Sequence, residues 1–266
     1  MTTHAAMGRY VYCISRGDAP VPEAPGIDEV SPVRALRRGP LAAVLSDVNL
    51  EEWTGDDAES RLADLEWLGP RALHHERVVE AVMRDAPVLP LRFGAMFSSD
   101  EAVCEWLARH EGAIARFLEA MRGAEEWSLR GWVDRDRCEE ALALEDPRRA
   151  TLSGSPGARY LAERRLRRDI AGAVGPLLHR LEEQLVAAIE ARVLLHASLA
   201  PASAEMHGRS DAPAFNRACL VRAGEIDALR AALDDHADAW ARYGVSIELT
   251  GPWPPYNFCP PLGAES

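Results

Sequence analysis

The sequence predicts an α+β fold in two domains: an N-terminal mixed α+β domain over residues 1–150 and a C-terminal ferredoxin-like domain, with an elongated first helix or helix pair, over 151–266. Three observations carry this. Runs rich in β-branched and aromatic residues stand near both ends of the chain. Leu166, Ile170, Val174, Leu177, Leu181, Leu185 and Ile189 recur at steps of three or four, the spacing of one helical face. In EDPRRATLSGSPGA, Glu145 to Ala158, Pro, Gly, Ser and Thr gather without periodicity, which marks a boundary near residue 150.

RYVYCIS (Arg9 to Ser15) reads as the first strand and LAAVLSDV (Leu41 to Val48) as another, with turn-rich GDAPVPEAPG and room for a short strand in IDEVSPVRALRRG between them. Asp64 to Leu68 leads to a break at Gly69-Pro70. Pro70 then takes the favoured first position of a helix whose Ala72, His75, Val79 and Val82 share one face. PVLPLRF (Pro87 to Phe93) reads as a short buried or edge strand, because its prolines donate nothing to a ladder. The next helix starts at a Ser cap in SSDEAV, carries acids in its first turn, buries Trp106, Ile114, Phe117 and Met121, and stops at Gly123. EEWSLRGWVD (Glu125 to Asp134) alternates as a strand, inward at Trp127 and Leu129 and, past a bulge at Gly131, at Trp132 and Val133.

In the second half, Gly175-Pro176 interrupts the long stripe and predicts a kink or two stacked helices; the stripe either seams a coiled-coil-like hairpin or docks on a sheet, the commoner fate in a compact domain. Ala191 to Ala200 turns from helix into strand, Ala214 to Arg222 is a strand, EIDALRAALDDHADAWARYG is an amphipathic helix stopped by Gly244, and Val245 to Gly251 alternates as the last strand. The order helix, strand, strand, helix, strand is what suggests the ferredoxin-like unit.

All 30 positive charges are arginine, and the missing lysine excludes a Walker loop, a protein-kinase site and a pyridoxal-phosphate Schiff base, each of which needs an amine. Against 42 acids the net charge is −12, so nucleic acid and anionic membrane are excluded as general partners. Cys13, Cys104, Cys138, Cys219 and Cys259 stand singly, with no metal-ligand spacing, as in a reducing compartment. MTTHAAMGRYVYC lacks the apolar core of a secretory signal, and no 18-residue apolar run occurs, which together predict a soluble cytoplasmic chain. No cofactor is expected.

Four stretches stand out. His74, His75 and Glu76 lie together on a helix, but adjacent residues there point about 100° apart and Val79 occupies the position an HExxH ligand would need. A half-buried, hydrogen-bonded His75 is the expectation; a cleft near His75 and Arg92, serving an enzyme or small-molecule-binding protein, is the alternative. In PVLPLRFGAMF, Arg92 precedes Phe93 and a turn at Gly94. It pairs with an acid such as Glu76, or forks a carboxylate in a cleft or partner. LTGPWPPYNF holds Pro252, Pro254 and Pro255 in an extended strap that cannot continue a ladder past Thr250 and presents Trp253, Tyr256 and Phe258. The rings either close the strap over the last strand's own hydrophobic groove, the commoner fate, or meet another protein. RYLAERRLRRD, Arg159 to Asp169, sets five arginines against two acids, as a solvated helix face or as a site for an anion or an acidic protein surface.

With these motifs in place, the chain resembles the gas vesicle protein L/F family. RYVYCI, LGPRALHHERVVEAVM, PVLPLRFGAMF, EEWSLRGWV, GARYLAERR, AFNRACLVR and ELTGPWPPYNF follow that family's order and spacing over nearly the whole chain; PLRFG and TGPWPPYNF are the most specific. Cys13 stands where the family's first strand has glycine. The resemblance implies a non-enzymatic accessory or minor structural protein of gas vesicles, cytoplasmic and vesicle-associated. It would bind the hydrophobic shell protein and other accessory proteins during assembly, as a monomer or homo-oligomer. Arg92, Phe93, Gly94, Trp253, Pro254, Tyr256 and Phe258 become its candidate partner-binding or structural signature, with the strap a clasp on the C-terminal domain.

Overall fold

The computed structural model describes residues 7–55, 57–151, 153, 155–200 and 211–262. The fold is mixed α+β with two antiparallel-rich sheets, in two compact units: the described residues of Met1–Ala124 with Trp253–Ser266, and Glu125–Pro252. Most of the loop expected from Pro201 lies outside the described residues.

In the first unit, β1 (Met7–Arg16), β2 (Arg34–Arg38) and β3 (Leu41–Asn49) form an antiparallel sheet. The two-residue strands β4 (Leu89–Pro90) and β5 (Met96–Phe97) add to β1's free edge. Register runs from Met7 opposite Asn49 to Arg16 opposite Leu41, slipping between Val11 and Cys13. Tyr10, Val11, Tyr12, Cys13 and Ile14 are all fully buried, so β1 is covered on both faces. Short helices α1 (Leu50–Thr54) and α2 (Ala58–Ala63) lead to α3 (Leu65–Met83), which sets Val78, Val79 and Val82 against Tyr10, Tyr12, Val44 and Val48. The break expected at Gly69-Pro70 does not occur. Asp64 caps the helix by accepting from the Glu66 amide, and Pro70 lies little more than a turn beyond, where its missing N–H costs one intrahelical bond. The strand expected over Pro87 to Phe93 shrinks to β4. From Arg92 the chain turns through Gly94, at φ 87° in the left-handed region, before β5. Helix α4 (Asp100–Ala120) begins on the Ser99 cap and buries Trp106, Ile114 and Phe117 as its pattern requires.

In the second unit, β6 (Ala124–Val133), α5 (Arg135–Glu145), α6 (Pro156–Ile189), β7 (Val193–Ser198), β8 (Ala212–Arg222), α7 (Ile226–Trp240) and β9 (Val245–Trp253) follow in order. The sheet order is β7-β8-β6-β9. The seven-residue stripe from Leu166 to Ile189 is buried throughout. From Val174 on it packs with Trp127, Leu129, Phe215 and Val221, so the helix docks on the sheet. Each of these aliphatic burials contributes roughly 1.5–3 kcal/mol, which lets α6 run unbroken through Gly175-Pro176 instead of dividing in two. The sequence boundary near residue 150 differs from the structural division because β6 joins the second sheet, so residues 125–150 group with the second unit. The chain from Trp253 onward groups with the first. The last strand also outruns its expected end, continuing past Pro252 to Trp253.

Candidate functional site beneath the C-terminal strap

Residues two apart on a strand share a face, and β1 uses this to aim Tyr10 and Tyr12 at α3, their ring centroids 5.0 Å apart. Helix α3 inserts His75 beside them, 5.7 Å from Tyr10 and 5.6 Å from Tyr12. Phe93 lies 5.8 Å from His75, and Trp53 of α1 packs 5.3 Å from Tyr10 and 5.5 Å from Phe93. The strap returns over this cluster, and Tyr256 reaches both His75 and Glu76.

The partners fix every proton. Leu91 carbonyl oxygen can only accept, so His75 Nε2–H donates to it at 3.2 Å and is shared with Tyr256 Oη at 3.1 Å. Tyr256 spends its own proton on Glu76 Oε1 at 2.9 Å. His75 Nδ1 is therefore bare and accepts from Tyr10 O–H at 2.9 Å, while Tyr10 Oη accepts from the Gly94 amide at 3.2 Å. The chain runs one way, from the Gly94 N–H through Tyr10, His75 and Tyr256 to the Glu76 carboxylate. Tyr12 stays beside it, bonded to Ser46 Oγ at 2.9 Å, and His74 donates to Pro25 carbonyl oxygen at 2.9 Å.

Burial sets the protonation states. It pushes His75 down to about 4, with the Leu91 bond opposing and His74 assisting. It raises Glu76, although the Tyr256 bond pulls the other way. Tyr10 and Tyr256 rise well above the usual phenol range, chiefly by burial, and Tyr12 rises to about 12. Near neutral pH the network is two phenols and one neutral imidazole, closed by the Glu76 carboxyl group. Both imidazole nitrogens are committed to protein partners. The arrangement suits a lock between strand, helix and strap.

The structure unites His75, Glu76, Phe93, Gly94 and Tyr256. Pro254 is buried, whereas Trp253 is 41% exposed and Phe258 partly covered. His75, expected half-buried, is 1% exposed. Arg92 is exposed and, among the described residues, shows no side-chain ion pair; the Arg92–Glu76 pairing fails because Tyr256 occupies Glu76. The strap closes on the first unit and not on the C-terminal sheet. Tyr10 and Tyr12, which lie within RYVYCI, and Trp53, to which no motif pointed, belong to the site. Two surface depressions of about 300 and 520 Å³ are lined by other residues, around Gly39 and Leu118 and around Pro22 and Val33. Among the described residues no group of His, Cys, Asp or Glu could hold a metal ion, and no helix is long and apolar enough to cross a membrane.

Removing the Tyr256 hydroxyl leaves the half-buried Glu76 carboxylate without its donor. Tyr256→Phe is expected to lower unfolding free energy by about 1–3 kcal/mol in urea titrations. An unchanged midpoint would show that the hydroxyl does not hold the strap.

The family described as gas vesicle synthesis protein GvpL/GvpF matches residues 8–260. Gas vesicle protein L of Streptomyces sp. (strain CB03234) is 30% identical over 256 residues, covering 94% of this chain and 92% of that one. Gas vesicle protein L2 of Halobacterium salinarum is 29% identical, covering 96% and 92%, and gas vesicle protein F of the Streptomyces strain is 28% identical, covering 95% and 99%. The crystal structure of GvpF from Anabaena sp. PCC7120 superposes with a TM-score of 0.70 at 17% identity over 96% of each chain. That of GvpF from Microcystis aeruginosa gives 0.66 at 18% over 95% and 99%, so the two share the fold.

Proposed function

Because the chain belongs to the gas vesicle synthesis protein GvpL/GvpF family, we propose that it acts without catalysis as an accessory or minor structural protein of gas vesicles. In this reading it binds the hydrophobic shell protein and other accessory proteins during assembly, in the cytoplasm and at the vesicle. The family match over nearly the whole chain carries the reading. A shell subunit with an exposed apolar face aggregates unless something covers it before assembly, and a chain of net charge −12 would keep such a complex soluble.

The site chemistry supports a non-enzymatic role. The one buried imidazole among the described residues has both nitrogens bonded within the protein and a pKa far below that of a neutral-pH base. The signature motifs build a rigid surface instead: PLRFG supplies the turn that seats Tyr10, and PWPPYNF the strap that covers it, leaving the Trp253 indole half-exposed beside a fixed anchor. We also read the second unit as ferredoxin-like. With α5 as an extra helix before α6, its order of strand, helix pair, strand, strand, helix, strand, with β6 as the first strand and the edges at β7 and β9, supports this.

Co-expression with the shell protein tests the proposal. The pair should co-purify with the shell protein in the soluble fraction, and Trp253→Ala should reduce capture while the variant remains folded. A shell protein that is equally insoluble with and without this chain would overturn the reading.

A further inference from the structure

Helix α6 carries a feature that neither the core nor the strap site uses. Its core-facing stripe begins at Leu166, yet the helix starts at Pro156, and the turns before the stripe are exposed apart from partial cover on Ala162 and Glu163. There Tyr160 and Leu161 stand 63% and 54% exposed. At about 100° per residue, Tyr160, Arg164 and Arg168 fall on one outward face at four-residue steps, and Leu161 and Arg165 continue it on the adjacent edge.

The local acids do not neutralise this face. Glu163 is taken by Arg159 at 3.0 Å, and Asp169 by Arg148 at 2.7 Å. Among the described residues, Arg164, Arg165, Arg167 and Arg168 have no carboxylate partner. Like charges three and four residues apart repel along a helix, so the cluster works against the helix that bears it. In a chain of net charge −12, four unneutralised arginines around an exposed Tyr–Leu pair form a local field opposite in sign to the whole.

From this charge pattern we infer that the outward face of α6 around Tyr160, Leu161, Arg164, Arg165 and Arg168 is a docking surface for an acidic amphipathic helix of another polypeptide. The guanidinium forks take carboxylates spaced four residues apart, and Tyr160 and Leu161 take an apolar side chain between them. A polypeptide suits this face better than a nucleic acid or an anionic bilayer. A polyanion would meet the repulsion of the remaining acidic surface beyond the patch, and two apolar side chains offer a bilayer little to bury. The inference does not depend on shell-protein binding.

The full-length chain is titrated against a fluorescent helical peptide of glutamate, leucine and alanine with its glutamates four residues apart, and against the same peptide with glutamine in their place. A short DNA duplex and phosphatidylglycerol vesicles serve as competing probes. The glutamate peptide should bind and the glutamine peptide should not, with affinity falling as salt rises. Arg164→Glu/Arg168→Glu should weaken binding by about tenfold or more, and Tyr160→Ser/Leu161→Ser by several-fold, with unchanged thermal unfolding. If the reversed pair unfolds, Arg164→Gln/Arg168→Gln should give the same direction of change. Failure of the glutamate peptide to bind at low salt, equal affinity after charge reversal, or tighter binding of duplex or vesicles would each overturn the assignment.

Discussion

A His75→Ala variant is expected to unfold with about 3–5 kcal/mol less free energy than the parent near neutral pH. Two terms add. The first is the cavity left by a ring 1% exposed and packed against Tyr10, Tyr12 and Phe93. The second is polar: Tyr10 O–H loses its acceptor, and Leu91 carbonyl oxygen loses the donor it shares with Tyr256. His75→Gln retains much of the volume and should recover part of the loss. The pH dependence isolates the imidazole. Its folded pKa of about 4 lies below the ordinary 6.5, so its contribution is complete above about 6.5 and is lost as pH falls towards 4. Between about pH 7.5 and 5 that loss comes to about 2 kcal/mol. Glu76, raised by burial, works in the opposite direction, since its penalty grows as pH rises through its folded value. Parent stability should therefore still fall on acidification, and in His75→Gln that slope should flatten or reverse. An identical slope in both proteins would show that His75 does not titrate as its burial requires.

What the sequence discloses depends on whether a signal is local. The Leu166 to Ile189 stripe was legible because a single amphipathic helix repeats it, and the core honours each position. The break expected at Gly69-Pro70 and the division into two helices at Gly175-Pro176 do not occur, because tertiary burial outweighs the loss of one backbone bond. Helices α1, α2 and α5 are short or weakly patterned and left no clear periodicity. RYVYCI was legible as a strand, but the site role of Tyr10 and Tyr12 was not, because a strand buried on both faces shows no alternation to tell which side chains face the helix. The strap was conspicuous in composition, but its destination was not. Tyr256 and Glu76 are separated by 180 positions, and no local pattern carries that pairing. Arg92, at the end of a short strand after the helix of Glu76, suggests an ion pair with it, whereas the structure gives the carboxylate a phenol.

Gly131 provides the second large effect, with a sign that local preference would get wrong. It lies inside β6, where glycine costs about 0.5–1 kcal/mol relative to alanine and valine is favoured, so propensity alone predicts that Gly131→Val stabilises. The structure predicts a loss of about 3 kcal/mol. A Cβ at this position would enter the ring of Phe215 on β8, and Phe215 is itself 5% exposed within the core that holds Leu129, Val174 and Leu185. Where the sequence suggested a bulge at Gly131, packing against this ring accounts for the missing side chain. A double-mutant cycle decides between the two explanations. Phe215→Ala alone should cost about 3–5 kcal/mol, but Gly131→Val on the Phe215→Ala background should cost little or gain, because valine then fills the space the ring leaves. The coupling should exceed about 2 kcal/mol in urea unfolding. Strict additivity would mean that the ring can move aside and that Gly131 is required by the backbone instead.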